Sequence, residues 1–268
     1  MIPALGVIGC GNMGYALLKG IVNGDEPRYS SIYISDINAA RTDLFNREFE
    51  AVIGSNRETV ANADIVFLAV KPGQVKEVLT TTREQWQPHK LLISIAAGIS
   101  TQLIENVIGS EIPVVRVMPN TPCLVAEGVS AVCGGKYATP EHLQLVEAMF
   151  NNLGLAIIIE EKYLDAVTAV SGSGPGYAYL VAEAMIDAAV NMGLSGEIAR
   201  KLVVNTIRGS MTMLQKKCEH PAVLKAQVSS PGGTTIAGLR QLEENGIRKA
   251  FFAAVESAYE RSVELGKQ

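Results

Sequence analysis

The first half of the chain alternates short, continuous apolar runs with longer amphipathic stretches. Residues 4–8, 32–35, 65–70, 91–95 and 114–118 are rich in β-branched side chains and show no polar alternation. Strands buried on both faces of a parallel sheet have that character. Between them, residues 13–22, 39–49 and 73–80 carry helical periodicity and provide the crossovers that parallel strands require. The pattern predicts a doubly wound α/β domain with a mostly parallel sheet. Residues 129–133 and 156–159 extend the sheet and flank a helix started by Thr139-Pro140-Glu141, with Thr139 as cap and Pro140 in the first turn.

After about Glu161 the strand signal ends and helical stretches follow at 176–192, 196–217 and 247–265. Gly193 is placed to close the first of these and Ser195 to cap the next. The expected division is a dinucleotide-binding domain at 1–161 and an all-α domain at 162–268. The helix at 176–192 is apolar nearly all round, and a domain so short cannot cover it alone. This predicts a homodimer with intertwined helical domains. There is no internal repeat and no low-complexity segment.

With 268 residues, 48% of them hydrophobic, the chain can bury a large core. A formal charge of −4 with scattered Lys and Arg offers no basic stripe for nucleic acid. No apolar run reaches the ~20 residues of a membrane span, and the first residues lack a signal-peptide pattern, so the expectation is a cytoplasmic protein with no membrane partner. Cys10, Cys123, Cys133 and Cys218 show no metal-ligand spacing. They read as reduced, mostly buried thiols, and His89, His142 and His220 as surface residues; no metal is expected.

The first strand runs into Gly9-Cys10-Gly11-Asn12-Met13-Gly14, a G-x-G-x-x-G run that opens a helix. Gly9 allows the tight turn, Gly11 the approach of a pyrophosphate and Gly14 close packing of helix on strand. Free N–H groups of the first helical turn then face the phosphates. This is a Rossmann-type dinucleotide fingerprint in its proper context. At the end of the second strand the signals conflict. Ser35, Asn38 and Arg41 suit the 2′-phosphate of NADPH, whereas an inward Asp36 suits NADH; the plain role of Asp36 is to cap the next helix. The balance favours NADPH, with NADH admissible.

Four further stretches carry a family resemblance: Ala69-Val70-Lys71-Pro72, Met118-Pro119-Asn120-Thr121-Pro122, Ser171-Gly172-Ser173-Gly174-Pro175 and Ser229-Ser230-Pro231-Gly232-Gly233-Thr234-Thr235. Together they resemble pyrroline-5-carboxylate reductase over nearly the whole chain. The resemblance implies hydride transfer from NAD(P)H to the C=N carbon of 1-pyrroline-5-carboxylate, giving L-proline in the last step of proline biosynthesis. It also implies cofactor contacts from Gly9, Cys10, Gly11, Asn12 and Met13 at the pyrophosphate, and from Ser35 and Asn56 near the adenosine. Ala69, Val70, Lys71, Pro72, Ala96, Ala97 and Asn120 fall at the nicotinamide end. The substrate falls to Ser230, Gly232, Gly233, Thr234 and Thr235: backbone N–H groups of Gly232, Gly233 and Thr234 for the carboxylate, the Thr235 hydroxyl for the ring nitrogen. The family also implies that the helical domain pairs across a dimer and that dimers associate into rings, up to a decamer of five dimers.

So sparse a site suits the chemistry, because the cofactor carries the hydride and the protein orients. No nucleophile is needed, and Thr235 is the candidate catalytic group as polariser or proton relay. For Thr234 or Thr235 the structural alternative is a helix N-cap. Gly14 and Gly176 stand where the family commonly has alanine, and Ala226 where it often has an acid. Two other readings remain open. One is a related imine or hydroxyacid reductase drawing a proton from the helical domain, where Glu183 and Asp187 share a face. The other is a dinucleotide-sensing protein without turnover.

Overall fold

The computed structural model describes residues 2–24, 29–109 and 111–266. They form two compact units, one comprising the chain up to Ser173 together with residues 258–266, the other Gly174–Ser257.

In the first unit an eight-stranded sheet has the order β3-β2-β1-β4-β5-β6-β7-β8. Its strands are β1 (Leu5–Ile8), β2 (Ile32–Ser35), β3 (Val52–Ile53), β4 (Ile65–Leu68), β5 (Leu91–Ser94), β6 (Val114–Met118), β7 (Gly128–Gly134) and β8 (Gly154–Ile158). All neighbours are parallel except β6 and β7. Helices cover both faces, as unbroken apolar strands demand. On one face α1 (Asn12–Val22), α2 (Ala39–Phe49) and α6 (Pro140–Asn151) bury Leu17, Ile21, Phe45, Met149 and Phe150 against the sheet. On the other, α3 (Asn56–Asn62), α4 (Pro72–Thr81) and α5 (Thr101–Ile108) bury Val60, Val75, Leu79, Ile104 and Ile108.

Local chemistry sets most boundaries. Thr139 caps α6 as expected, in a capping box with His142. Ser55 and Glu58 form another at α3, a helix not predicted. β4 stops at Leu68, two residues short of expectation. The last sheet-like bond is Ala69 N–H to Ile8 O, and Lys71, still extended before Pro72, already serves as N-cap of α4. Beyond β8, a 3₁₀ turn and α7 (Leu164–Val167) lead into a π-turn, Thr168–Gly172, that the sequence did not suggest. Ser262 Oγ, near the end of the last helix, donates to Asp165 Oδ1 at 2.6 Å.

The second unit is helical: α8 (Gly174–Asn191), α9 (Gly196–Lys217), α10 (Pro221–Gln227), α11 (Thr234–Glu244) and most of α12 (Ile247–Leu265). Ser195 caps α9 by accepting from Ile198 N–H, and Gly193 takes a positive φ after α8. No residue of α8 is buried, consistent with the reading that its apolar faces lack cover within the chain. Among the described residues no helix is long and apolar enough to cross a membrane, no group of His, Cys, Asp and Glu is placed to hold a metal, and the four cysteines are free, Cys218 alone being exposed.

Candidate functional site

Strand order creates the cleft of the sheet unit. The chain runs β1, β2, β3 to one side and then crosses to lay β4 on the other flank of β1, so the carboxyl ends of β1 and β4 diverge into a crevice. Open α/β sheets bind ligands at such a switch point. A cleft of about 550 Å³ lies there. Its wall brings together Gly9, Gly11, Asn12, Ser35, Asn56, Ala69, Val70 and Lys71 of the predicted residues, with Asp36, Ile37, Asn38, Arg41 and Gln74. Cys10, Met13, Pro72, Ala96, Ala97 and Asn120 are not part of this wall. Ala96 and Ala97 follow β5, and Asn120 follows β6. The successive ends of β1, β4, β5 and β6 thus form a row about 14 Å long at ordinary strand spacing.

The glycine loop has the close contacts its sequence promised. Gly9 has φ +102°, and a Cβ there would lie 2.6 Å from Ala69 O. A Cβ on Gly14 would collide with Gly9 O, so the alanine common in the family at this position does not fit this loop as it stands. Gly11 caps α1 without a side chain, leaving the first helical N–H groups open to the cleft. The amide of Cys10 is already engaged: it donates to Asp36 Oδ2 at 2.6 Å. Burial and the neighbouring Asp36 push the Cys10 thiol up to about 12.

Asp36 does not cap α2. Its other oxygen accepts from Asn38 N–H at 2.8 Å, and Asn38 is the cap, accepting from Ala40 N–H. Both Asp36 oxygens thereby hold loop amides. Arg41 completes the clamp by donating from Nε to Cys10 O at 2.6 Å, while its Nη2 is buried with no hydrogen-bond partner among the described residues. Ser35 Oγ donates to Asn56 Oδ1 at 2.7 Å, joining the two residues expected at the adenosine. Ile37 is 95% exposed on the cleft wall. An apolar residue directly after Ser35-Asp36 was its only sequence signal.

Asn120 is buried and bonded at both ends of its amide. Oδ1 accepts from Val129 N–H at 2.9 Å, and Nδ2 donates to Ser171 O and Oγ at 3.2 and 3.3 Å. Lys71 is exposed and stands as N-cap of α4.

In the helical unit, residues 229–235 make a tight turn into α11. Gly232 has φ +70°, Gly233 N–H donates to Ser230 O at 3.0 Å, and Gly233 is the N-cap. Neither Thr234 nor Thr235 caps the helix, contrary to the structural alternative; they are its first two residues. The N–H of Gly233 is closed into the turn, and the amides of Thr234 and Thr235 belong to the open first turn of α11.

Residues 161–265 match the family of pyrroline-5-carboxylate reductase dimerisation, and residues 4–98 match NADP oxidoreductase, coenzyme F420-dependent. A pyrroline-5-carboxylate reductase of Corynebacterium melassecola is 41% identical, with 99% of this chain and all of that one aligned. The chain belongs to the pyrroline-5-carboxylate reductase family. The enzyme of that name from Methanosarcina acetivorans is 40% identical over 98% of each chain. Among solved structures, pyrroline carboxylate reductase of Plasmodium falciparum with NADP bound aligns with TM-score 0.88, 38% identity and 98% coverage of both chains. The Coxiella burnetii pyrroline-5-carboxylate reductase gives 0.90 and 33% over 99% of each. A ketol-acid reductoisomerase at 15% identity and TM-score 0.67 shares the fold alone.

Within the family the chain keeps its two departures in the helical unit. A Cβ on Gly176 would meet nothing within 4 Å, so the lost methyl leaves no clash to explain it. Ala226 sits in α10 near Ser229, Ile236 and Arg240, in a hollow also lined by Glu243, which is paired with Arg248; the structure does not explain the alanine.

Proposed function

We propose that this chain is an NAD(P)H-dependent oxidoreductase that reduces 1-pyrroline-5-carboxylate to L-proline, the last step of proline biosynthesis, with NADPH preferred and NADH admissible. The observation that carries the reading is kinship over the full length, including both the glycine loop and the residue 229–235 turn, with reductases of that name. The cleft fits a dinucleotide: open N–H groups at the start of α1 suit a pyrophosphate. Its adenosine end suits a 2′-phosphate. Asp36 is withdrawn onto loop amides, and Arg41, whose buried Nη2 has no hydrogen-bond partner among the described residues, lines the cleft with Ser35 and Asn38.

In this reading Gly9, Gly11, Asn12 and Met13 hold the pyrophosphate, with Cys10 shaping the loop. Ser35 and Asn56 hold the adenosine ribose, and Ile37 covers the adenine. The backbone of Ala69 to Pro72, with Ala96, Ala97 and Asn120, frames the nicotinamide. A reduced nicotinamide bound there supplies the hydride that the imine carbon accepts. The amides of Gly232 and Thr234 take the substrate carboxylate in a turn that Ser230 and Gly233 close. The Thr235 hydroxyl donates a hydrogen bond to the ring nitrogen, where negative charge would otherwise develop as hydride adds to carbon. The nitrogen takes its proton from water as hydride adds to carbon, so no strong acid is required of the protein.

The functional unit is a homodimer with intertwined helical domains, further associated into a decamer of five dimers. The dimerisation family matched by residues 161–265 supports pairing, as do the uncovered faces of α8. The division of labour is a cofactor domain at 1–161 and a substrate-binding, dimerising domain at 162–268, in the cytoplasm.

The test is to supply purified protein with racemic pyrroline-5-carboxylate, follow oxidation of NADPH and NADH separately, and identify the product by chromatography. Proline formed with NADPH oxidised faster is the expected result. Tight NADPH binding without turnover would favour the sensor reading. Thr235→Ala is expected to lower kcat about 10- to 100-fold while NADPH affinity is unchanged; unaltered kcat removes Thr235 from the mechanism.

A further inference from the structure

Two of the motifs on which the family resemblance rests, Met118-Pro119-Asn120-Thr121-Pro122 and Ser171-Gly172-Ser173-Gly174-Pro175, are joined by one side chain. Asn120 Nδ2 donates to Ser171 O and Oγ, and Oδ1 accepts from Val129 N–H at the start of β7. The orientation of the amide follows from its partners: only an oxygen can accept from Val129 N–H, and only an NH₂ can donate to the Ser171 carbonyl. Asn120 is 9% exposed and its two ends are both engaged, so its side chain faces the protein.

Its target is an unusual piece of backbone. Thr168–Gly172 is a π-turn, closed by Ser173 N–H to Thr168 O at 2.9 Å, between α7 and α8. A π-turn has a weaker bonding pattern than an α-helix and leaves carbonyls in need of partners; such turns concentrate at functional sites. This one is pinned to the sheet unit. Ala169 is fully buried, a Cβ on Gly172 would come within 2.9 Å of Met118 Cε, and Asn120 holds the Ser171 carbonyl. The turn ends at Ser173, where the chain passes from one compact unit to the other.

We propose that Asn120 is a positioning residue: by clasping the π-turn it fixes the backbone of residues 171–173, where the chain leaves the cofactor unit. This deepens the reductase reading and rests on it. Asn120 acts through Ser171, and the frame it provides at the nicotinamide end is the backbone it holds in place. Misplacement of reacting groups by about 1 Å costs up to about 100-fold in rate, so loosening the turn moves kcat more than it moves cofactor binding.

The discriminating variant is Asn120→Asp, which keeps an acceptor for Val129 N–H and loses the donor to Ser171. Ser171→Ala, which removes only the hydroxyl, is the milder companion. Three quantities are read on full-length protein: hydrogen exchange of the Ser173 amide, NADPH affinity by titration, and kcat and KM for pyrroline-5-carboxylate. For Asn120→Asp the expectation is faster exchange at Ser173, unchanged NADPH affinity and kcat lowered about 10-fold or more. Ser171→Ala should show the same signs at smaller size.

Unchanged exchange with weakened NADPH binding would overturn the proposal and make Asn120 a direct cofactor contact. Faster exchange with unchanged kcat would overturn it too, leaving the clasp without consequence for the reaction. Should Asn120→Asp fail to fold, Ser171→Ala decides by the same three readings. If the wild-type protein shows no turnover, the reductase reading fails, while the exchange arm still reports whether the clasp exists.

Discussion

In the sheet unit the largest apolar side chains find cover. Phe45, Phe67 and Phe150 are almost wholly inaccessible, whereas Tyr179, Leu180 and Phe252 in the helical unit are 66%, 65% and 79% exposed. A sheet offers two broad faces, and crossover helices fill both, so its unit closes its own core. The helices of the second unit present apolar surface without an opposing layer in the same chain: α8 lies against α9, yet only Ala199 and Val203 of the 174–257 stretch are buried. Burying one large apolar side chain is worth about 1.5–3 kcal/mol. The sheet unit thus closes its own core within one chain, and the helical unit does not.

The variant Phe252→Glu breaks that comparison most severely. A carboxylate forced into an apolar interface costs several kcal/mol, felt twice in a symmetric dimer. The expected result by light scattering is a monomer with turnover abolished and NADPH affinity retained, because the cleft belongs to the sheet unit. Val52→Glu, at a residue 51% exposed on β3, should leave both assembly and activity unchanged. A Phe252→Glu protein that remains oligomeric and active would mean that this face is not where copies meet.

The same contrast governs how much could be read in advance. β2 and β6 fall where their β-branched runs put them, and α9 runs from Gly196 to Lys217 as its Ser195 cap and periodicity promised. β3 was missed because two residues carry no period. The α3 helix was missed although Ser55 and Glu58 spell a capping box, a signal strong enough to have found it. Other features had no sequence signal. A π-turn uses the same residues as an α-helix, and the Asn120 to Ser171 bond spans 51 positions. Asp36 illustrates the limit at the site: its residue type was correctly seen as ambiguous, but only tertiary geometry decides that both oxygens face loop amides.

A smaller effect sharpens the picture of the self-contained cofactor unit. Arg41 holds Cys10 O through Nε, and in the proposed function its guanidinium also meets the cofactor 2′-phosphate. A hydrogen bond to a charged group is worth about 1.5–3 kcal/mol, so Arg41→Ala should lower kcat/KM for NADPH by about 10- to 100-fold. NADH has no 2′-phosphate and should lose only the smaller part that comes from the bond to Cys10 O. Equal losses with both cofactors would assign Arg41 to loop support alone, and Arg41→Lys would then restore neither.

The mildest probe leaves the sequence untouched. Cys10 and Cys133 are buried, and desolvation pushes both thiols up to about 12, with Asp36 and Glu161 adding to the shift; Cys123 is raised by burial as well. Only the thiolate reacts, and at pH 8 a thiol with that pKa is ionised to roughly one part in ten thousand. The three should stay silent to a thiol reagent in the native protein and react when it is unfolded. Cys218, exposed at the end of α9, should react at once if that end is free. Were it silent in the oligomer yet fast in the Phe252→Glu monomer, the covered surface would have to extend from α12 to the end of α9, which would enlarge the interface that the uncovered helices demand.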